Sequence, residues 1–134
     1  RFDEIIALEI EPRLEKRKPV FLYDYPAASG ALARLKPGDP STAERFELYI
    51  AGLELCNAFS ELIDPVEQRT RFEAELANRR KTGRPAYPLP EKFLEALEHM
   101  PEAAGNALGV DRLVMLLTDT AKIDAVTAFT PEAL

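Results

Sequence analysis

Residues 45 to 62, RFELYIAGLELCNAFSEL, decide the fold. Two apolar runs flank Ala51-Gly52, and alternation with period 2 on either side predicts an antiparallel hairpin. With the turn at Ala51-Gly52, Leu48, Ile50, Leu53 and Leu55 are expected on a core face and Glu47, Tyr49 and Glu54 on an opposite, acidic face. Asn57, Phe59 and Glu61 have the parity of Leu53 rather than of Glu54. A strictly regular strand would turn them to the core, where an unpaired Asn57 or Glu61 costs several kcal/mol. A β-bulge near Leu55-Cys56 is therefore expected, returning all three to the acidic face. The alternative is a strand ending near Cys56, with Asn57 opening a polar loop.

Upstream of the hairpin, Val20 to Tyr25 between Pro19 and Pro26 is rich in β-branched and aromatic residues and predicts a strand. Phe2 to Glu11 predicts a short amphipathic helix ending at Pro12, followed by a charged loop from Arg13 to Lys18. Residues 27–43 are small and contain Pro37-Gly38-Asp39-Pro40, which predicts a loop. Downstream, Asp64-Pro65-Val66-Glu67 has the form of a helix start, with Asp as N-cap and Pro at the first helical position. That helix is expected to run to about Lys81 and stop at Gly83, with Glu67/Arg71 and Glu75/Arg79 spaced for ion pairs. A connection through Pro85, Pro88 and Pro90 leads to a second helix at Glu91 to His99. A last element is expected to begin at Gly105-Asn106-Ala107-Leu108-Gly109 and continue as VDRLVMLL, a helix apolar nearly all round and so buried. The pattern is that of an α+β fold, an antiparallel sheet with flanking helices.

The chain of 134 residues carries a net charge of −6 and is 46% hydrophobic, which suits one domain of ordinary size. No apolar run approaches the roughly 18 residues of a membrane-spanning helix. One cysteine, Cys56, and one histidine, His99, exclude an internal disulfide, a cysteine-rich zinc site and a His-rich metal centre. They lie in different elements without a supporting motif for a nucleophile pair, and neither Ser41 nor Ser60 is flanked by nucleophile-elbow glycines. The acidic balance opposes a broad grip on nucleic acid. Arg79-Arg80-Lys81 is read first as a solvated helix end that complements the helix dipole, and second as a contact for RNA or an acidic partner. The chain opens on Arg1 rather than Met and is expected to be a piece of something longer.

Three features could carry chemistry. Glu47 and Glu54 on adjacent strands are within reach of one cation. Two carboxylates without histidine suit Mg²⁺, which keeps waters and is completed by substrate phosphates; the plainer reading is a solvated outer face. Arg112, on an otherwise apolar helix, needs a planar anionic or aromatic partner such as a phosphate or a nucleobase, or else pairs with Asp111 or another acid. Gly105 and Gly109 allow close backbone approach to a ligand, or are ordinary turn glycines.

FELYIAGLELCNAFSELIDPVEQRTRFE and GNALGVDRLVMLLTDTAKIDAVTAF together resemble the C-terminal half of a class II lysyl-tRNA synthetase catalytic domain. The second segment is similar to motif 3 of that class, at about residues 105–118, and PVFLYDYP to the strand preceding the substrate hairpin. The resemblance runs from about Phe2 to Phe129. It implies ATP and Mg²⁺, with Glu47 and Glu54 holding the metal and the backbone at Leu55 lying along the nucleotide. Arg112 would pack on adenine and reach the terminal phosphate, beside Gly109, so that Arg112 and Glu54 would be the catalytic pair. Asn57, Phe59 and Ala107 would line the amino-acid pocket, and Glu61 would recognise an amino group of a lysine-type substrate.

Four positions depart from the lysyl-tRNA synthetase pattern. Ala107 stands for Gly, Asn57-Ala58-Phe59 for Asn-Gly-Phe, Ile123-Asp124-Ala125-Val126 for Ile-Arg-Asp-Val, and Gly30-Ala31-Leu32-Ala33 lacks the usual Ser-Pro. These changes resemble the shortened paralogue that attaches β-lysine to elongation factor P, where Ala at the position of Ala107 reshapes the pocket; Ala58 departs from both families. The implied reaction is adenylation of lysine or β-lysine, followed by transfer to elongation factor P. Transfer to tRNA is the alternative, and a catalytically inactive interaction module the third reading. The resemblance further implies a cytoplasmic protein, no membrane, a homodimer in the full-length form, and, with motifs 1 and 2 absent, a chain that is inactive alone.

Overall fold

The computed structural model describes residues 2–130; Arg1, on which the expectation of a longer protein turns, and residues 131–134 lie outside them. The centre is an antiparallel sheet of five strands: β1 (Val20–Pro26), β2 (Leu35–Lys36), β3 (Asp39–Ile50), β4 (Leu53–Ser60) and β5 (Ala104–Leu108). The order is β1-β3-β4-β5, with β2 also paired to β3. The β3-β4 hairpin turns where expected, with φ of 54° at Ala51 and 83° at Gly52. Positive φ at both central residues lets the turn follow the twist of the strands.

The expected bulge is present. Tyr49 pairs with Glu54 and Leu48 with Cys56, which leaves Leu55 as the extra residue. Beyond it, Glu47 pairs with Asn57 and Arg45 with Phe59, so the odd-numbered polar residues of β4 return to the face of Glu47. β5 extends this face, with Ala107 opposite Asn57 and Gly105 opposite Phe59.

Several expectations are corrected. Residues 27–43 are not a continuous loop: after a 3₁₀ turn at Ala27–Ser29 they form β2, and β3 begins at Asp39. Pro37-Gly38 makes a hairpin turn, with Gly38 at φ 83°, and Asp39 accepts from Ser41 N (3.1 Å), Ser41 Oγ (2.6 Å) and Thr42 Oγ1 (2.7 Å). The turn signal was real, but the polar Ser-Thr pair after it enters the sheet. Ala104–Leu108 is a strand rather than the start of a helix, because pairing along Cys56–Ser60 occupies its backbone groups. The helix proper, α4, runs Val110–Leu117 and buries only Met115; Val110 and Leu117 are 61% and 78% exposed, so it is not buried all round. Phe2 to Arg13 is helical but irregular, an α-turn (Phe2–Ile5), a π-turn (Ile6–Ile10) and a 3₁₀ turn (Glu11–Arg13), with no residue fully buried. Leu8 there is 75% exposed, against the amphipathic expectation.

The long helix, α2 (Pro65–Lys81), follows its sequence signals. Asp64 accepts from the amides of Val66 (2.8 Å) and Glu67 (3.1 Å), and Gly83 follows the helix end at φ 68°. The pairs Glu67–Arg71 (2.5 Å) and Glu75–Arg79 (3.6 Å) both form. A short helix, α3 (Glu91–Leu97), buries Leu94 and Leu97 and stacks Phe93 near Phe72. Among the described residues no helix is long and apolar enough to cross a membrane.

Both faces of the hairpin are partly covered: Cys56 and Ala58, paired with Leu48 and Phe46, are buried on the expected core face, but the acidic face is also covered. Glu47 and Tyr49 are 8% and 2% exposed, whereas Leu48, Ile50 and Leu53 are less completely covered than they; of the expected core set Leu55 is fully buried. A carboxylate tolerates this burial because of what surrounds it.

Candidate active site

Glu47 is the centre of a closed polar cluster. Its Oε2 accepts from Tyr25 Oη (2.5 Å) and Tyr49 Oη (2.8 Å), and its Oε1 accepts from Arg45 Nη2 (2.6 Å). Arg45 also donates to Ser29 O (2.8 Å) and Asn57 Oδ1 (3.1 Å), and its guanidinium lies over the Tyr25 ring at 4.4 Å. Tyr49 reaches Glu11 on the N-terminal segment as well, at 3.1 Å. Burial first, then the hydrogen bond to Glu47, push both phenols well above the ordinary tyrosine range. The charge of Glu47 is thus met by one guanidinium and two hydroxyls, which is what a buried carboxylate requires.

The other end of the face is open. Glu54 shares the face of Glu47 through its partner Tyr49, but its carboxylate has one longer contact, Arg112 Nη1 at 3.4 Å. Arg112 also donates to Glu54 O at 2.7 Å. The guanidinium is half-exposed rather than buried, and its acid is Glu54, not Asp111. Gly109 N donates to Leu55 O at 2.8 Å. The carbonyls that the bulge withdraws from the ladder are therefore taken up by the β5-α4 junction, which fixes the bulge and brings Arg112 to Glu54. A Cβ on Gly109 would stand 3.3 Å from Arg112 Cδ, so the glycine allows this approach.

Glu61 continues the same face beyond Phe59, bridged to Ala33, with its amide donating to Ala103 O at 2.9 Å. Ala107 lies beside Asn57, small and exposed. Of the residues singled out in the sequence, Glu47, Glu54, Leu55, Asn57, Phe59 and Ala107 lie on β3, β4 and β5, Glu61 just past β4, Gly109 at the β5-α4 junction and Arg112 in the first turn of α4. Clefts of about 740 and 450 Å³ both reach Arg45; Ser29, Gln68 and Phe72 line the first, and Phe59 and Gly105 the second. The Glu54–Arg112 end lines neither.

Among the described residues no group of three or more His, Cys, Asp or Glu could hold a metal by itself. Glu54, with one long contact, nevertheless fits Mg²⁺, whose usual protein ligands are one or two carboxylates with phosphates and water completing the shell; Glu47 could join it only if Arg45 released Oε1. Tyr25 and Arg45 were not singled out in the sequence, and Tyr49 was placed on the acidic face without a role. Arg45 and Tyr49 carry a signal there, since both have the parity of Glu47, whereas Tyr25 reaches the cluster only through the irregular register of β1 on β3 between Tyr23 and Tyr25.

Residues 3–133 match the family described as tRNA synthetases class II (D, K and N). The chain belongs to that family. This class II synthetase chain is 48% identical over 127 residues to a lysine–tRNA ligase of Anaeromyxobacter sp. (strain K), a match covering 92% of the chain and 25% of the relative. It is 46% identical over 126 residues to an elongation factor P–(R)-beta-lysine ligase of Vibrio cholerae serotype O1, covering 93% of the chain and 39% of the relative. A ligase of the latter name from Erwinia tasmaniensis is 47% identical over 127 residues, covering 94% of the chain and 39% of the relative. The class II chain thus spans between a quarter and two-fifths of the length of these curated relatives.

Proposed function

We propose that the chain is the C-terminal part of a class II catalytic domain that activates a lysine-type amino acid with ATP and transfers it to a lysine of elongation factor P. The single observation behind this reading is the bulge at Leu55, which aligns Glu47, Asn57, Phe59 and Glu61 on one face with Glu54 and Arg112 at its end. In this reading the protein supplies positioning and charge rather than covalent chemistry. Glu54 would hold Mg²⁺, joined by Glu47 once Arg45 releases its carboxylate, and the ion would neutralise the phosphates. Arg112 turns from Glu54 to the nucleotide, with adenine against its planar face and the terminal phosphate at its tip. The backbone at Leu55 and Gly109 borders the nucleotide, Asn57 and Phe59 line the amino-acid pocket, and the Glu61 carboxylate, without a partner among the described residues, takes the substrate amine. Arg45 keeps Glu47 and Asn57 in place.

Ala107 favours β-lysine and elongation factor P over lysine and tRNA in this reading, as do the Gly30-Ala31-Leu32-Ala33 and Ile123-Asp124-Ala125-Val126 segments. Adenylation also needs the arginine of motif 2, so the chain alone is expected to be inactive, and the full-length protein to be a cytoplasmic homodimer. The test supplies full-length protein with ATP, labelled (R)-β-lysine or α-lysine, and either elongation factor P or tRNA. Labelling of elongation factor P by β-lysine is expected. Efficient charging of tRNA with α-lysine and no labelling of elongation factor P would move the assignment to a lysyl-tRNA synthetase; no product with any acceptor would leave the inactive interaction module.

A further inference from the structure

Gly105 is a glycine for reasons of space. Positive φ among the glycines occurs at Gly38, Gly52 and Gly83 only, so the backbone of Gly105 suits any residue. Yet a Cβ placed there would stand 2.0 Å from Glu61 Oε1 and 3.2 Å from its Cδ, where contacts below 3.0 Å are essentially never found. The backbone on both sides is committed: Gly105 pairs with Phe59, and Glu61 is held by Ala103 O and by its bridge to Ala33. What can yield is the far end of the Glu61 side chain. A methyl group at 105 would therefore leave the sheet intact and move the carboxylate.

That carboxylate has no hydrogen bond or ion pair among the described residues, although the Glu61 side chain is half-buried. We infer that Gly105 is a positioning residue, whose missing side chain seats the Glu61 carboxylate where it meets the ammonium group of the amino-acid substrate. The inference rests on the proposed role of Glu61 and adds what fixes its position. Ala107, two residues along and on the same face, shapes the pocket beside Asn57; Gly105 sets the place of the charge.

The test uses the full-length protein, with KM and kcat for lysine and β-lysine from ATP–pyrophosphate exchange, and thermal unfolding of each variant. Loss of a well-placed charged hydrogen bond predicts that Gly105→Ala raises the amino-acid KM about tenfold or more, with the KM for ATP, kcat and the melting temperature nearly unchanged. In a Glu61→Asp background, whose shorter side chain no longer reaches the new methyl, Gly105→Ala should add almost nothing. Three results would overturn the inference: Gly105→Ala leaves KM unchanged while Glu61→Gln raises it; Gly105→Ala costs as much in the Glu61→Asp background as it does beside Glu61; or Gly105→Ala unfolds the protein, showing that the backbone yields and not the carboxylate. If Glu61→Gln itself leaves KM unchanged, the proposed role of Glu61 fails and the inference with it.

Discussion

Glu47 and Glu54 are seven residues apart on one face of one hairpin, and their surroundings are opposite. Glu47 is buried and accepts from two tyrosines and an arginine. Glu54 is about a third exposed and meets a single half-exposed arginine at 3.4 Å. Sequence spacing alone makes the two look like an equivalent pair. The difference teaches that one carboxylate is held by three donors and must give up an ion pair to take a ligand, while the other is free to exchange a single long contact.

The comparison can be broken most easily at Glu47. Glu47→Ala strips Tyr25 of its acceptor, leaves Tyr49 only Glu11, and leaves the Arg45 charge without its carboxylate, so unfolding in denaturant should show a loss of about 3–5 kcal/mol. A loss near that expected for a surface glutamate would erase the distinction. Glu54→Ala should do the reverse in the full-length protein: ATP–pyrophosphate exchange falls by about 100-fold or more, while the melting temperature shifts little. A near-normal rate would remove Glu54 from the proposed metal role.

The tyrosines sharpen the contrast through pH. Tyr25 and Tyr49 have native pKa values raised by burial and by Glu47, so their contribution to stability is whole below about pH 10, where unfolded tyrosines begin to ionise. Above it the unfolded chain loses protons that the native protein keeps. Stability should then fall by up to about 1.4 kcal/mol per pH unit for each tyrosine. Tyr49→Phe should reduce this alkaline slope, and an unchanged slope would mean that the phenol is not so held. The smallest effect is expected at the open end. Arg112→Ala should change stability by about 1 kcal/mol or less, since both its ion pair and its hydrogen bond to Glu54 O are exposed, and a drop comparable to that of Glu47→Ala would show this end to be structural too.

Much of this was legible in the residues. The hairpin turn, the Asp64 cap and the bulge at Leu55 follow from local rules: positive φ at a two-residue turn, a side chain that caps amides, and the cost of burying Asn57 and Glu61 unpaired. That the acidic face is covered as well was not legible, because hydrophobicity alone puts only the apolar face inside. Arg45 and Tyr49 of its own strand make burial of Glu47 cheap, together with Tyr25, which only the tertiary pairing of β1 with β3 brings there. The β5 strand was missed because its small residues, Ala104 to Ala107, carry little propensity and are ordered by pairing with β4. The exposure of α4 was missed because apolarity all round implies burial only when something covers every side.

The central claim is that this face activates a lysine-type amino acid with ATP. ATP–pyrophosphate exchange by the full-length protein, with and without lysine or (R)-β-lysine, tests it most directly. The account predicts exchange that requires Mg²⁺ and one of these two amino acids. The absence of any amino-acid-dependent exchange in a folded, full-length preparation would contradict it.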